Sequence, residues 1–150
     1  MLLLRSPAFE NAHPIPSNYA KAGDNISPPL SWGNAPQGTK SCALAVVDRH
    51  PVARNFVHWL VIDVHGDVSA LAEAASGSAS MPAGSRELKV YGGPNPPSGS
   101  HDHEFTLYAL NTDTLDPPKN VSLQTFTEAV EQCSLATAKL VGAFARSRNK

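Results

Sequence analysis

The stretch Ser41-Cys42-Ala43-Leu44-Ala45-Val46-Val47-Asp48, with its sequel Phe56-Val57-His58-Trp59-Leu60-Val61-Ile62-Asp63-Val64, decides the fold. Both are continuous apolar runs of strand length, and the second is β-branched or aromatic for most of its course. Such runs mark central strands covered on both faces, because a half-exposed strand would alternate apolar with polar. A polar connection over residues 49–55 joins them. Phe105-Thr106-Leu107-Tyr108-Ala109-Leu110 reads as a third strong strand.

Outward from this centre the signals weaken. Residues 2–9 form a short strand interrupted by Pro7, which places it at a sheet edge. Residues 13–29 are turn-rich, with Pro14, Pro16, Pro28, Pro29 and the turn Gly23-Asp24-Asn25. Leu30-Ser31-Trp32 is a brief strand closed by a turn over 33–38. Residues 70–99 lose periodicity, running through a Ser/Ala/Gly stretch into Gly92-Gly93-Pro94-Asn95-Pro96-Pro97-Ser98-Gly99. Prolines beside permissive glycines make a stiff loop there.

One helix is predicted over residues 123–144. Leu123, Phe126, Val130, Cys133, Thr137, Leu140, Val141 and Phe144 recur at steps of three and four, giving one buried stripe. Ser122 is its cap, and Thr125 with Glu128 has the spacing of a capping box for an alternative start. Thirteen prolines and ten glycines leave little room for helix elsewhere. With no internal repeat and no linker, the reading is one mainly β domain over residues 1–150. An antiparallel sheet forms its core, and one long C-terminal helix packs on it.

Composition removes several functions. Of 150 residues, 41% are hydrophobic and 17% charged, which is globular rather than disordered. The formal net charge is −1 and no Lys/Arg cluster stands out, so nucleic acid is not an expected partner. Arg146, Arg148 and Lys150 read as a solvated tail. Met1-Leu2-Leu3-Leu4-Arg5 is too short an apolar run for a signal-peptide core or a membrane span. Cys42 and Cys133 read as buried thiols, with a disulfide left open; that usage suits a reducing compartment, and a cytoplasmic location is expected.

The histidines carry the chemistry. His58 lies inside an apolar strand, where unsatisfied ring nitrogens would cost about 1–3 kcal/mol. His101 and His103 stand two apart before Phe105, so an extended backbone puts both rings on one face and Glu104 on the other. Asp48 ends the first central strand. Together Asp48, His58, His101 and His103 could form an anion cradle, with imidazole N–H groups donating to phosphate or carboxylate oxygens and Asp48 orienting one ring. Gly92 and Gly93 would let the backbone approach such an anion. The same four groups could instead satisfy zinc. Each histidine could also be a satisfied structural residue. His13, His50 and His65 read as solvated, with His50 noted for its closeness to Asp48. Nothing marks a hydrolase or nucleotide site: there is no G-x-S-x-G elbow, no G-x-G-x-x-G after a strand and no Walker-type run.

The order of several segments resembles the phosphatidylethanolamine-binding protein family, in its bacterial and archaeal branch related to Raf kinase inhibitor. The segments are Asn25-Ile26-Ser27-Pro28-Pro29-Leu30-Ser31-Trp32, Asp48 with Phe56-Val57-His58-Trp59, Tyr91 through His101, Phe105 through Leu110, and the closing Leu140-Val141-Gly142-Ala143-Phe144. The resemblance runs over about residues 6–146. It implies a β-sheet sandwich with a C-terminal helix, and a small surface cavity for phosphate, phosphoethanolamine or carboxylate.

By the same resemblance the pocket carboxylate falls on Asp48 and its central histidines on His58 and His101. Trp59, Gly92, Gly93, Pro94, Pro96 and Phe144 fall beside them. His103 stands where the family commonly has tyrosine, and Arg49-His50-Pro51-Val52 where it has Pro-Asp-Ala-Pro. Regulation of a kinase or inhibition of a protease, and pairing as a homodimer, are also implied. No cofactor and no catalytic residue is expected. A metal-dependent enzyme built on the His/Asp cluster is the alternative, and an interaction module with an empty pocket is a third reading.

Overall fold

A computed structural model describes residues 1–50, 53, 55–95, 99–116 and 121–145. Its elements, in chain order, are β1 (Leu3–Arg5), β2 (His13–Pro14), a 3-10 turn (Ser17–Tyr19), β3 (Leu30–Gly33), β4 (Ser41–Asp48), β5 (Phe56–His65), β6 (Ala70–Leu71), β7 (Arg86–Lys89), β8 (Ser100–Leu110), α1 (Leu123–Glu131) and β9 (Ser134–Ala145). A six-stranded sheet runs β2-β9-β8-β4-β5-β7, and a three-stranded sheet runs β1-β3-β6. All pairings are antiparallel except β2 with β9, which is parallel.

The large sheet is the middle of three layers. On one face Leu44, Val46, Trp59, Val61, Phe105 and Leu107 meet Leu4, Leu30, Trp32 and Leu71 of the small sheet. On the other, Ala43, Ala45, Val47, Leu60 and Ile62 meet Phe126 and Val130 of α1. All eight residues of β4 are buried, as its unbroken apolar run requires. β1 does lie at a sheet edge, with Pro7 beyond it.

The mainly β class with one helix stands, but the helix is shorter than its stripe suggested. It stops at Glu131, and residues 134–145 form β9 instead. Leu140 and Phe144 are four apart, and a step of four satisfies a helical face and a strand face equally. The sheet decides between them. Without β9, the eleven residues of β8 would leave a long row of backbone donors and acceptors unpaired. β9 satisfies them from Ser100 opposite Ala145 to Leu110 opposite Ser134. It alternates as a strand should, with Ala138, Leu140 and Gly142 buried and Thr137 and Lys139 exposed. A Cβ at Gly142 would lie 2.4 Å from Ile15 Cγ1, so this crossing requires glycine. The helix start is as expected in part: Ser122 caps α1, and its capping box closes through Thr125 rather than Glu128. Cys42 and Cys133 are both free.

Candidate functional site

A β-bulge builds the site. Val46 pairs with Trp59 while the next residue, Val47, pairs with Val57, which leaves His58 as the extra residue. Strict alternation would turn His58 away from Trp59 and toward the helix layer. The bulge instead re-aims it, and its ring lies edge-on to His103 with centroids 4.9 Å apart. His101 and His103 share this face of β8, as their spacing required. Glu104 points the other way, to Arg49 at 3.2 Å and Lys139 at 3.6 Å. Register sets Asp48 opposite His103. The four predicted groups therefore converge, and all are buried, from 5% exposed for Asp48 and His58 to 1% for His103.

Their hydrogen bonds fix the chemistry. His101 Nδ1 lies 2.7 Å from Asp48 Oδ2, and the His50 backbone N–H donates to Asp48 Oδ1 at 2.9 Å. His58 Nδ1 lies 2.6 Å from the Gly92 carbonyl oxygen. A carbonyl only accepts, so His58 Nδ1 carries the proton and the Nε2 of the neutral ring holds a lone pair. Beside an ionised Asp48, which only accepts, His101 Nδ1 is likewise the donor. His103 Nε2 is 3.7 Å from Asp48 Oδ2, beyond hydrogen-bond reach, and neither ring nitrogen of His103 has a hydrogen-bond partner among the described residues.

Burial opposes ionisation of Asp48. The bonds from His101 and the His50 backbone, with the charges of His103 and His101, outweigh it and hold the carboxyl below its usual range. Burial pushes His58 down, against the pull of the Gly92 carbonyl and Asp48. Burial, helped by His58, drives His103 down to about 4, although Asp48 and the nearby His101 backbone favour its charged form. Asp48 thus favours its charged form, and His58 and His103 their neutral forms, within one recess.

A pocket of about 520 Å³ opens on this cluster, with Asp48, His58 and His101 in its wall. Gly92 and Gly93 also line it, but not as a cradle of free donors. The Gly92 N–H bonds the His58 carbonyl and the Gly93 N–H bonds Asn25 Oδ1. Gly93 is small for a packing reason: a Cβ there would sit 2.1 Å from the Tyr19 carbonyl oxygen.

Three other expected residues are not part of this wall. Trp59 is fully buried in the core, its indole N–H donating to Glu87 Oε2 at 2.7 Å. Pro94 is buried, its carbonyl accepting from the Lys21 N–H. Phe144 is half-buried against the core, opposite His101 in register. Each neighbours a site residue in sequence or register without opening to the pocket itself. His103 sits behind the wall, and Pro96 lies outside the described residues. Lys21, Asn25, Phe56 and Lys89 also line the wall, although none was singled out as a site residue from the sequence. His50, expected in solvent, stacks on His101 with centroids 3.9 Å apart and planes 8° from parallel.

The same order of segments lies within residues 5–145, over which the chain matches the family described as Phosphatidylethanolamine-binding protein. The chain belongs to this family. The UPF0098 protein of Methanothermobacter thermautotrophicus is 38% identical over 149 residues, covering 95% of this chain and 98% of that one. The Mycobacterium tuberculosis protein LppC, named as a lipoprotein, is 35% identical over 148 residues, covering 95% and 72%. Among solved structures, E. coli YbcL, described as a member of the mammalian PEBP family, superposes with a TM-score of 0.88 at 25% identity, covering 97% and 99%. As a PEBP-like protein, this chain has a mostly β fold consistent with small-ligand binding. None of its described helices is long and apolar enough to cross a membrane.

Proposed function

We propose that this PEBP-like protein binds a small anionic group, such as phosphate, the head group of O-phosphoethanolamine or a carboxylate, in the pocket at Asp48, His58 and His101. The observation that carries the reading is the convergence of these three side chains on one open recess that also has Lys21 and Lys89 in its wall. The lysines supply standing positive charge. Both rings turn Nδ1 to a protein acceptor and leave Nε2 for the ligand, so an anion is held either by a protonated ring or through a proton of its own, as in a phosphate monoanion.

Family membership and the exposed apolar side chains of Phe56 and Val90, both in the pocket wall, support a regulatory role in which a kinase or protease partner docks over the occupied pocket. Two free thiols fit a reducing cytoplasm; cell fractionation checks this against the lipoprotein name of a relative. Calorimetric titration of metal-free protein with phosphate and with O-phosphoethanolamine tests the binding reading. Saturable binding at millimolar ligand or below, weakened on the order of tenfold in His101→Gln, is expected. Absence of heat and of ligand retention at that concentration would refute it.

A further inference from the structure

Partly behind the pocket wall lies a group of donor atoms that shares Asp48 and His58 with the anion pocket and adds His103, which that pocket does not use. One donor atom from each of Asp48, His58 and His103 lies within 4.8 Å of the other two, and all three residues are buried. His103 brings two ring nitrogens without a hydrogen-bond partner among the described residues. A buried polar group left in that state is costly and asks for a ligand, a water or an ion.

We propose that Asp48, His58 and His103 form a binding site for one divalent transition metal ion such as zinc, with an open coordination position toward the pocket. Two imidazoles and one carboxylate are a donor set for a nitrogen-preferring ion rather than for magnesium or calcium. The surroundings of the donors fit that role. His58 gives its Nδ1 proton to the Gly92 carbonyl, which fixes the ring and leaves Nε2 to coordinate. The Asp48 carboxylate is held by His101 Nδ1 and the His50 backbone N–H, as a ligating carboxylate is held by its outer partners.

His101 is thus a positioning residue for the metal, not a ligand. Bonds of about 2.0–2.2 Å to a tetrahedral zinc place ligand atoms roughly 3.4 Å apart. The 3.7 Å between His103 Nε2 and Asp48 Oδ2 is close to that already, and the wider separations, all within 4.8 Å, shorten by side-chain rotation when the ion binds. Three protein ligands leave a fourth position, and Asp48 and His58 are themselves in the pocket wall. The site stands whether or not the pocket takes an anion.

The test uses the whole chain, stripped with EDTA, dialysed into phosphate-free buffer and titrated with zinc by calorimetry and with cobalt by visible absorption. One equivalent of zinc and ligand-field bands of a low-coordinate cobalt site are expected. His103→Phe is expected to weaken zinc binding by well over tenfold. His101→Gln is expected to keep the stoichiometry and lose on the order of tenfold. No stoichiometric zinc, or unchanged affinity in His103→Phe, overturns the proposal. Should His103→Phe fail to fold, imidazole nitrogen shifts of the native protein decide: zinc-induced changes at His58 and His103 support the site, and changes confined to His13 or His65 overturn it. Zinc binding without phosphate binding would sink the anion reading alone, and phosphate binding without zinc would sink the metal site alone.

Discussion

His101 Nδ1 and Asp48 Oδ2 lie 2.7 Å apart, joining the start of β8 to the end of β4 across 53 positions of sequence. Both side chains are almost fully buried. The pair therefore holds a strand end together and sets which His101 nitrogen faces the pocket. Asp48→Asn removes the charge and can offer the His50 N–H and His101 Nδ1 only one amide oxygen. A loss of about 1–3 kcal/mol is expected, read from urea unfolding. A variant as stable as the native chain would mean the bond contributes nothing.

The depressed histidines make stability depend on pH. His103 falls from an ordinary 6.5 to about 4 in the folded chain, so on acidification the unfolded chain takes up this proton first. Stability is then full above about pH 6.5 and is lost as pH falls toward 4. In metal-free protein this group alone accounts for a loss of about 3 kcal/mol across that window. His58 acts in the same direction, and Asp48, whose carboxyl is held low, adds its loss only at lower pH. His103→Phe is expected to flatten the slope of unfolding free energy against pH. A native profile that is already flat over this range would contradict the burial of His103.

Adjacent glycines in the pocket wall should respond differently. Gly93→Ala drives a Cβ into the Tyr19–Lys21 backbone, whereas a Cβ at Gly92 meets nothing within 4 Å. The first is expected to cost about 1–3 kcal/mol, as overpacking does, and the second less than about 0.5 kcal/mol. Thermal unfolding of the two variants side by side checks this, and equal losses would show that the close approach is wrong.

The two lysines of the wall give the pocket its sign. Lys89 Nζ lies 4.5 Å from the centroid of the Phe56 ring, which holds it at the pocket, and both lysines are exposed. Lys21→Gln and Lys89→Gln are each expected to reduce phosphate affinity about two- to fivefold, an exposed-charge effect. The double variant should also lose most of the salt dependence of binding. Unchanged affinity and salt dependence would remove both lysines from the site.

Much of this was legible in the sequence where one signal had one meaning. The unbroken apolar run of β4 predicted its bounds to the residue, Ser41–Asp48, because only burial on both faces allows such a run. Asp48, His58, His101 and His103 were found as a set because strand ends and period two constrain them. What failed was ambiguous for physical reasons. Leu140 and Phe144 satisfy helix and strand alike, and the choice rests on the unpaired edge of β8, which no local pattern reports. The bulge that aims His58 appears only when Val46 and Val47 are matched to their partners on β5. Lys21 reaches the pocket because the backbone at 19–21 packs on Gly93, a contact between segments that share no local pattern.

The most direct measurement is the pH titration of the imidazole nitrogens by NMR, in metal-free protein, with and without O-phosphoethanolamine. If the pocket is the binding site, ligand should move the His58 and His101 signals, leave His13 and His65 in place, and bind more tightly as pH falls. Signals of His58 and His101 that ignore millimolar ligand at every pH would contradict the account.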